Sequence, residues 1–211
     1  MTTGLRGQAA YAEGAQHYEA RTRQFHEWRR RVVDLLPLRR GDVVLDVGCG
    51  SGLCFPLLQS RVGPQGMVVG VEPSTDMLAL AATLVQEAGW RNVLLVEAAA
   101  EDAEIPGLVD HVLFCAVHDV LQSQDALRNV LGRLRPGGTV AVVGGKWAPA
   151  WAIGLNAVVA AVHAPFVRDF AGFDRPWGLL AEHVPNMRVS SVEMDCGFLA
   201  IGQTAADGIA A

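Results

Sequence analysis

The 211-residue sequence has no apolar run long enough to cross a membrane. Hydrophobic residues make up 51% of the chain, but charged or turn residues interrupt every apolar stretch. The chain also lacks a basic, apolar leader. These absences predict a soluble, cytoplasmic protein without an integral membrane segment.

Basic residues and paired cysteines are scarce as well. Lys and Arg number 17 against 22 Asp and Glu, and a net charge of −5 does not attract phosphate backbones, which disfavours a nucleic-acid partner. The four cysteines form no C-x-x-C pair, which favours a reducing compartment. The six histidines show no metal-ligating helical spacing. We therefore predict that the protein binds no metal.

The phosphate-binding pattern G-x-x-x-x-G-K-[ST] is also absent, which disfavours nucleotide hydrolysis. Instead, the apolar run that begins at Val44 passes directly into Gly48, Gly50 and Gly52. Glycines at such a turn allow positive φ and let a ligand approach the backbone N–H groups. Asp46 lies inside the apolar run, where burial without a partner would be costly, so we expect it to bind the turn or a cationic ligand. The segment predicts a cofactor site between a strand and a helix.

Alternating apolar runs and helical periodicities predict a single α/β domain. The chain order of strands and helices indicates a doubly wound, mostly parallel sheet with helices on both faces. The predicted strands are 43–47, 67–71, 92–96, 109–115, 139–143, 188–195 and 198–201, and the predicted helices are 15–36, 53–60, 75–88, 125–134 and 150–170. Ser74 or Thr75 is expected to cap the third of these helices. The basic run Arg29 to Arg31 is interpreted as a solvated helix face, with contact to an anionic surface as the alternative.

Ligands in such sheets bind beyond the carboxyl ends of the strands. Glu72 ends the second predicted strand, where an acid can accept both hydroxyl groups of a ribose. His118 follows the fourth predicted strand and could take a proton from an attacking hydroxyl or amine, although packing alone would also explain it.

The pattern D-x-G-x-G-x-G from Asp46 to Gly52 resembles motif I of the class I S-adenosylmethionine (SAM) dependent methyltransferases. Leu134 to Gly138 is similar to the Leu-Lys-Pro-Gly-Gly turn that precedes strand five in that family. These matches span about Gly41 to Gly144, and the arrangement most resembles the ubiquinone/menaquinone-biosynthesis and phospholipid N-methyltransferase-like branch. The resemblance implies a seven-stranded Rossmann-like sheet and SAM as cofactor, with S-adenosylhomocysteine (SAH) as product.

The resemblance also assigns roles to individual residues. Family members commonly hold the adenine amino group with an acid that here falls on Ala99, so Ala100 N–H, with Glu101 or Asp102 as acceptor, is the substitute. Tyr18 resembles a tyrosine that closes over the cofactor, with helix packing as the alternative, and Arg23 is a candidate partner for the methionine carboxylate. The cofactor set is Tyr18, Asp46, Gly48, Cys49, Gly50, Gly52, Glu72, Pro73, Met77, Ala99, Ala100, Glu101 and Ala116. A small side chain packed under the turn also explains Cys49.

The activity implied is methyl transfer by in-line displacement to an O, N or C atom of a small or lipid-like acceptor. The candidate acceptor-binding residues are Trp147, His163 and Trp177, with His118 as the candidate catalytic base. The alternative is a SAM-binding protein of the same fold that catalyses another step, such as cyclisation, or only binds the cofactor. An NAD-dependent oxidoreductase is disfavoured by the glycine spacing.

The domain prediction is a helical cap at residues 1–40 over the active site, a SAM-binding domain at 41–204 and a frayed tail at 205–211. The expected assembly is a monomer or homodimer.

Overall fold

A computed structural model describes residues 25–152 and 154–205. Its strands are β1 Val43–Val47, β2 Met67–Glu72, β3 Val93–Glu97, β4 Val109–Cys115, β5 Leu134–Gly145, β6 Arg188–Val192 and β7 Gly197–Gln203. Its helices are α1 His26–Leu35, α2 Phe55–Val62, α3 Thr75–Glu87, α4 His118–Leu121, α5 Gln124–Leu131, α6 Leu155–His163 and α7 Gly178–His183. None of these helices has the length and apolar character needed to span a bilayer.

The strands form one seven-stranded sheet in the order β3-β2-β1-β4-β5-β7-β6. Strands β1 to β5 run parallel, and β7 pairs antiparallel with both β5 and β6. Strand order reverses between β1 and β4, so a crevice is expected at the carboxyl ends of these two strands. The predicted doubly wound, mostly parallel sheet is confirmed.

Each face of the sheet carries its own apolar core, because the parallel strands are buried on both sides. One core combines strand residues with Trp28 and Val32 of α1, Phe55 and Leu58 of α2, and Ala81 of α3. The other combines strand residues with α4, α5 and α7, through side chains that include Leu121, Leu127, Val130 and Leu180. Helices therefore cover both faces, as predicted.

Several predicted boundaries were wrong, including the end of the strand predicted over 188–195, which stops at Val192 before three residues with positive φ. Residues 135–138, interpreted as a turn, lie inside β5, because Leu134 already pairs with Val109 and the extra residues form a bulge with Gly137 at φ 73°. The helix predicted over 150–170 is confined to α6, which follows Gly154 at φ 87° and stops before Pro165, a residue without a backbone N–H. Helices α4 and α7 had not been predicted. The cap of α3 is Ser74, whose hydroxyl accepts a hydrogen bond from Met77 N–H at 3.4 Å.

Candidate functional site

The glycine turn lies at the carboxyl end of β1, beside the point where strand order reverses. Gly48, Gly50 and Gly52 have φ values of 66°, 56° and 80°, in the region that favours glycine. A Cβ at Gly48 would lie 2.5 Å from Val117 Cγ1, so the turn packs tightly against the segment after β4. Cys49 N–H donates to Val71 O at 3.0 Å, which fixes the turn to the end of β2. The Cys49 side chain is buried, as expected for packing under the turn.

Glu72, the last residue of β2, is bound to that turn. Its two carboxylate oxygens accept hydrogen bonds from Gly50 N–H and Ser74 N–H, both at 3.0 Å. Burial raises the pKa of Glu72, while these two N–H groups act in the opposite direction. Pro73 follows directly, and Met77 is buried beside Gly50. The acid is thus held in a fixed position at the strand end.

Asp46 is 1% exposed, and its Oδ2 has no hydrogen-bond partner among the described residues. The pKa of Asp46 is raised to about 7, mainly by burial and in part by the Glu72 carboxylate, while the Arg29 guanidinium acts in the opposite direction. Arg29 belongs to α1 and is itself only 7% exposed. Asp46 and Arg29 line one cavity, so a buried acid and a buried base face the same space.

Apolar and aromatic side chains form most of the wall of this cavity, including Trp28, Phe166, Phe173 and Phe198. Two histidines complete it. The His118 and His163 rings both pack edge-on against Phe173, with centroid separations of 5.0 and 5.3 Å. Burial lowers the pKa of His163, and the neighbouring His118 lowers it further, so His163 is neutral near pH 7.

The contacts of His118 fix the position of one ring proton. His118 Nε2 lies 3.1 Å from Ala171 O, and a carbonyl oxygen can only accept, so Nε2 carries the proton. In the neutral ring Nδ1 therefore holds the lone pair, and Nδ1 is buried without a hydrogen-bond partner among the described residues. Ala116, two residues earlier in the cavity wall, adopts φ 58°, a strained conformation of the kind that clusters at functional sites.

The segment after β3 forms a separate part of the same sheet edge. Ala100 is buried, Ala99 is half-buried, and Glu101 and Asp102 are exposed. The Asn129 amide of α5 donates to Ala100 O and Ala103 O, both at 2.9 Å. None of these residues lines the cavity, so the predicted adenine contacts lie beside it rather than in its wall.

The predicted acceptor residues are distributed unevenly. His163 lines the cavity, whereas Trp147 and Trp177 do not. Trp147 stacks on Phe170 and contacts Phe173, and Trp177 packs on Phe198, so both tryptophans support cavity-lining rings from behind. Tyr18 and Arg23, together with the first part of the predicted helix 15–36, lie outside the described residues.

Sequence reasoning missed Arg29. It was interpreted as part of a solvated run, but only Arg30 and Arg31 are exposed. The sequence did indicate that Arg29 is buried, because helical spacing places it on the same face as Val32, Val33 and Leu36. Phe198 was missed as a cavity residue because β7 brings it there from a distant segment of the chain.

Comparisons with known proteins agree with this geometry. Residues 44–138 match the family model described as a methyltransferase domain. The demethylmenaquinone methyltransferase of Listeria welshimeri is 28% identical over 180 residues, covering 82% of this chain and 76% of that protein. The ubiquinone/menaquinone biosynthesis C-methyltransferase UbiE of Ectopseudomonas mendocina is 34% identical over 119 residues, covering 55% of this chain and 46% of the relative. A SAM dependent methyltransferase structure from Aquifex aeolicus aligns with TM-score 0.57 and 19% identity, covering 84% of this chain and 89% of that one.

The sheet and the glycine turn, together with these matches, define a SAM-dependent methyltransferase of class I. The chain carries a methyltransferase domain and is similar to small-molecule methyltransferases, and its cofactor is SAM. It transfers a methyl group to a small-molecule acceptor.

Proposed function

We propose that the acceptor is an apolar, quinone-type ring compound with an ionisable hydroxyl group, and that His118 Nδ1 takes its proton. The support is the cavity itself, where aromatic side chains surround an imidazole nitrogen that has no partner among residues 25–152 and 154–205. The relatives' names point to the same acceptors, since they refer to demethylmenaquinone and to ubiquinone/menaquinone biosynthesis. A neutral His163 adds no charge to the wall, which suits an uncharged ring.

The residues around the glycine turn fit the amino-acid end of SAM. Asp46 Oδ2, which has no partner in the described part of the chain, suits an ammonium group, and Arg29 suits a carboxylate. A guanidinium has five N–H donors, so Arg29 can hold a carboxylate in addition to its existing contacts. We propose that this pair binds the two ends of the methionine zwitterion, that Glu72 accepts the ribose hydroxyls, and that Ala100 meets the adenine.

When bound, SAM supplies an electrophilic methyl group on its sulfonium sulfur. The protein's own contribution is to orient the two reactants and to move one proton. Phe173 and Phe198 hold the acceptor ring, His118 removes its hydroxyl proton, and the apolar wall excludes water. Proton removal makes the acceptor a nucleophile aligned with the methyl carbon.

Two measurements test the activity. Isothermal titration calorimetry should show SAH binding to the purified protein, and label from methyl-labelled SAM should enter a reduced 1,4-naphthoquinone bearing a short side chain. Absence of SAH binding would contradict the whole assignment. SAH binding without label transfer to the naphthoquinol or to any compound of a cell extract would favour the alternative, a SAM-binding protein that catalyses a different step.

The role of Arg29 has its own test. Arg29→Met should weaken SAH binding, whereas 5′-methylthioadenosine, which lacks the amino-acid end, should bind the variant and the parent equally. The matched control is Arg30→Met, since Arg30 is exposed on the same helix. Equal loss of affinity for both ligands would show that Arg29 only supports the fold.

We also propose that residues 1–40 cover the active site, that the protein is cytoplasmic and that it is a monomer or homodimer. The described part of the predicted cap at residues 1–40 contributes Trp28 and Arg29 to the cavity, which supports a covering role for it. The four cysteines are free thiols, which supports a reducing, cytoplasmic compartment. Size-exclusion chromatography with light scattering would distinguish a monomer from a homodimer.

A further inference from the structure

Helix α6 has an outer face without polar side chains. Ala157, Val158 and Ala161 recur at helical spacing and are exposed, with Val158 57% exposed. Trp151, shortly before the helix, is 79% exposed. A helix at the surface of a protein in water normally places charged and polar residues on this side. We call Trp151, Ala157, Val158 and Ala161 the α6 face.

The polar side chains of α6 point inward instead. Asn156 accepts a hydrogen bond from Ala148 N–H at 2.8 Å and donates to Ala148 O at 3.2 Å. His163 lies against Phe173 and over Gly145, in the cavity wall. Apolar side chains thus occupy the outer side of α6 as well as its inner side, where Val159 is buried, and the α6 face is suited to an apolar environment.

The α6 face belongs to a longer segment without charge. No Asp, Glu, Lys or Arg occurs between Lys146 and Arg168. Phe166 and Val167, at the end of this segment, line the cavity. One uncharged stretch of chain thus provides both an exposed apolar surface and part of the cavity wall.

We propose that the α6 face docks on the surface of a lipid bilayer. An exposed tryptophan suits the boundary between headgroups and acyl chains, where its ring is apolar and its N–H remains hydrated. A second protein chain fits less well, because protein interfaces depend on clustered large side chains and this face has alanines around a single tryptophan. With small side chains around a single anchoring residue, Trp151, the attachment to the bilayer is expected to be reversible and confined to one leaflet.

Docking in this way would bring the cavity close to the membrane. A lipid-dissolved acceptor could then pass from the bilayer to the cavity along one apolar segment. This consequence rests on the proposed quinone-type acceptor, whereas docking itself does not.

Vesicle flotation tests the docking with the full-length protein and phosphatidylcholine vesicles. The parent should float with the vesicles, and raised salt should change this little, because the α6 face carries no charge. Trp151→Ser and Val158→Glu should each lower the partition coefficient roughly tenfold or more, through lost apolar area and through an added charge. Quenching of tryptophan fluorescence by brominated lipid should occur in the parent and disappear in Trp151→Phe.

Two control variants carry the same kinds of substitution at exposed apolar residues outside the α6 face. Met194→Ser alters an apolar side chain that is 78% exposed, and Leu108→Glu adds a charge at a side chain that is 49% exposed. Both should float like the parent, and all variants should bind SAH with the parent's affinity. A parent that stays unbound, or a Val158→Glu variant that floats equally well, would overturn the proposal. If the parent does not bind vesicles but forms dimers, and Val158→Glu dissociates these dimers, the α6 face would instead contact a second copy of the chain. If the parent protein does not bind SAH, that result would count against the proposed function and not against docking.

Discussion

Glu72 Oε2 accepts a hydrogen bond from Gly50 N–H at 3.0 Å, so the acid at the end of β2 is fixed to the glycine turn after β1. Its other oxygen is held by Ser74 N–H. Each oxygen retains a lone pair for a further donor. The strand end therefore presents an acceptor whose position is set before a ligand arrives.

We predict that Glu72→Ala weakens SAH binding by roughly tenfold or more, because hydrogen bonds to a charged acceptor are lost. Calorimetry provides the measurement, and a thermal unfolding curve verifies that the variant is folded. Glu97→Ala is the control, since Glu97 is the register partner of Glu72 on β3 and is exposed. A folded Glu72→Ala variant that binds SAH as tightly as the parent would refute the ribose assignment.

Asp46 should make the stability of the ligand-free protein depend on pH. Its pKa rises from the ordinary 3.8 to about 7 in the folded state, so the folded protein retains this proton while the unfolded chain loses it. Stability is therefore lost as pH rises from 3.8 to about 7. Relative to the parent, Asp46→Asn should gain about 2 kcal/mol between roughly pH 5.5 and 8, as measured by denaturant unfolding. A pH-independent difference between the two proteins would contradict the titration.

The same group should link SAH binding to proton release. An ammonium group beside Asp46 favours the ionised carboxylate, so binding near neutral pH should release a proton. Calorimetry in phosphate and in Tris should then give different apparent enthalpies. This difference should vanish in Asp46→Asn, which should also bind SAH more weakly.

His118→Gln should lower kcat by roughly a hundredfold or more, because general-base catalysis is lost. The dissociation constant for SAH should remain unchanged, which separates a catalytic role from a packing role. His183→Gln is the control, since His183 lies at the end of α7 and outside the cavity wall. A His118→Gln variant with the parent's kcat would remove His118 from the mechanism.

The His163 ring lies directly over Gly145 and leaves no space for a side chain at residue 145. A Cβ at residue 145 would lie 2.2 Å from His163 Nε2, so Gly145→Ala should destabilise the protein by about 1–3 kcal/mol and raise KM for the acceptor. His163→Ala removes the clash, and the double variant should recover most of the stability lost through Gly145→Ala. Strictly additive effects in this double-mutant cycle would show that the two positions do not interact.

Asn129 and Asn92 form a matched pair, because each side chain donates to two loop carbonyls. Asn129 holds Ala100 and Ala103, and Asn92 holds Gly63 and Gly66 away from the cofactor site. Either change to alanine should cost about 1–3 kcal/mol of stability. Only Asn129→Ala should also weaken SAH binding, because only this loop is expected to meet the adenine. If both variants bind SAH with equal affinity, the adenine does not contact the loop that Asn129 holds.

The fold and the cofactor could be predicted because their signals are local in sequence. The apolar run, the alternating glycines and Glu72 follow one another along β1, β2 and their turns, and parallel strands bring their carboxyl ends to one edge. Positive φ at Gly48 and Gly52 was likewise readable from residue type alone.

The cavity was less predictable because its wall is assembled from distant segments. Trp28 comes from α1, Phe173 from the loop before α7 and Phe198 from β7, and no local period relates them. Trp147 and Trp177 were chosen by residue type, but each lies behind a phenylalanine that lines the cavity. Arg29 was not recognised because it belongs to a run of three arginines, and the other two, Arg30 and Arg31, are exposed.

The position of β7 also has a consequence for the order of folding. β7 follows β6 in the chain but lies between β5 and β6 in the sheet. During synthesis, β5 therefore exposes an unpaired edge until β7 has been made, and β6 has no place in the sheet before then. Phe198, which helps to close the cavity, arrives with the same strand. A nascent chain can thus complete its glycine turn early, but it gains a closed cavity only when β7 is inserted.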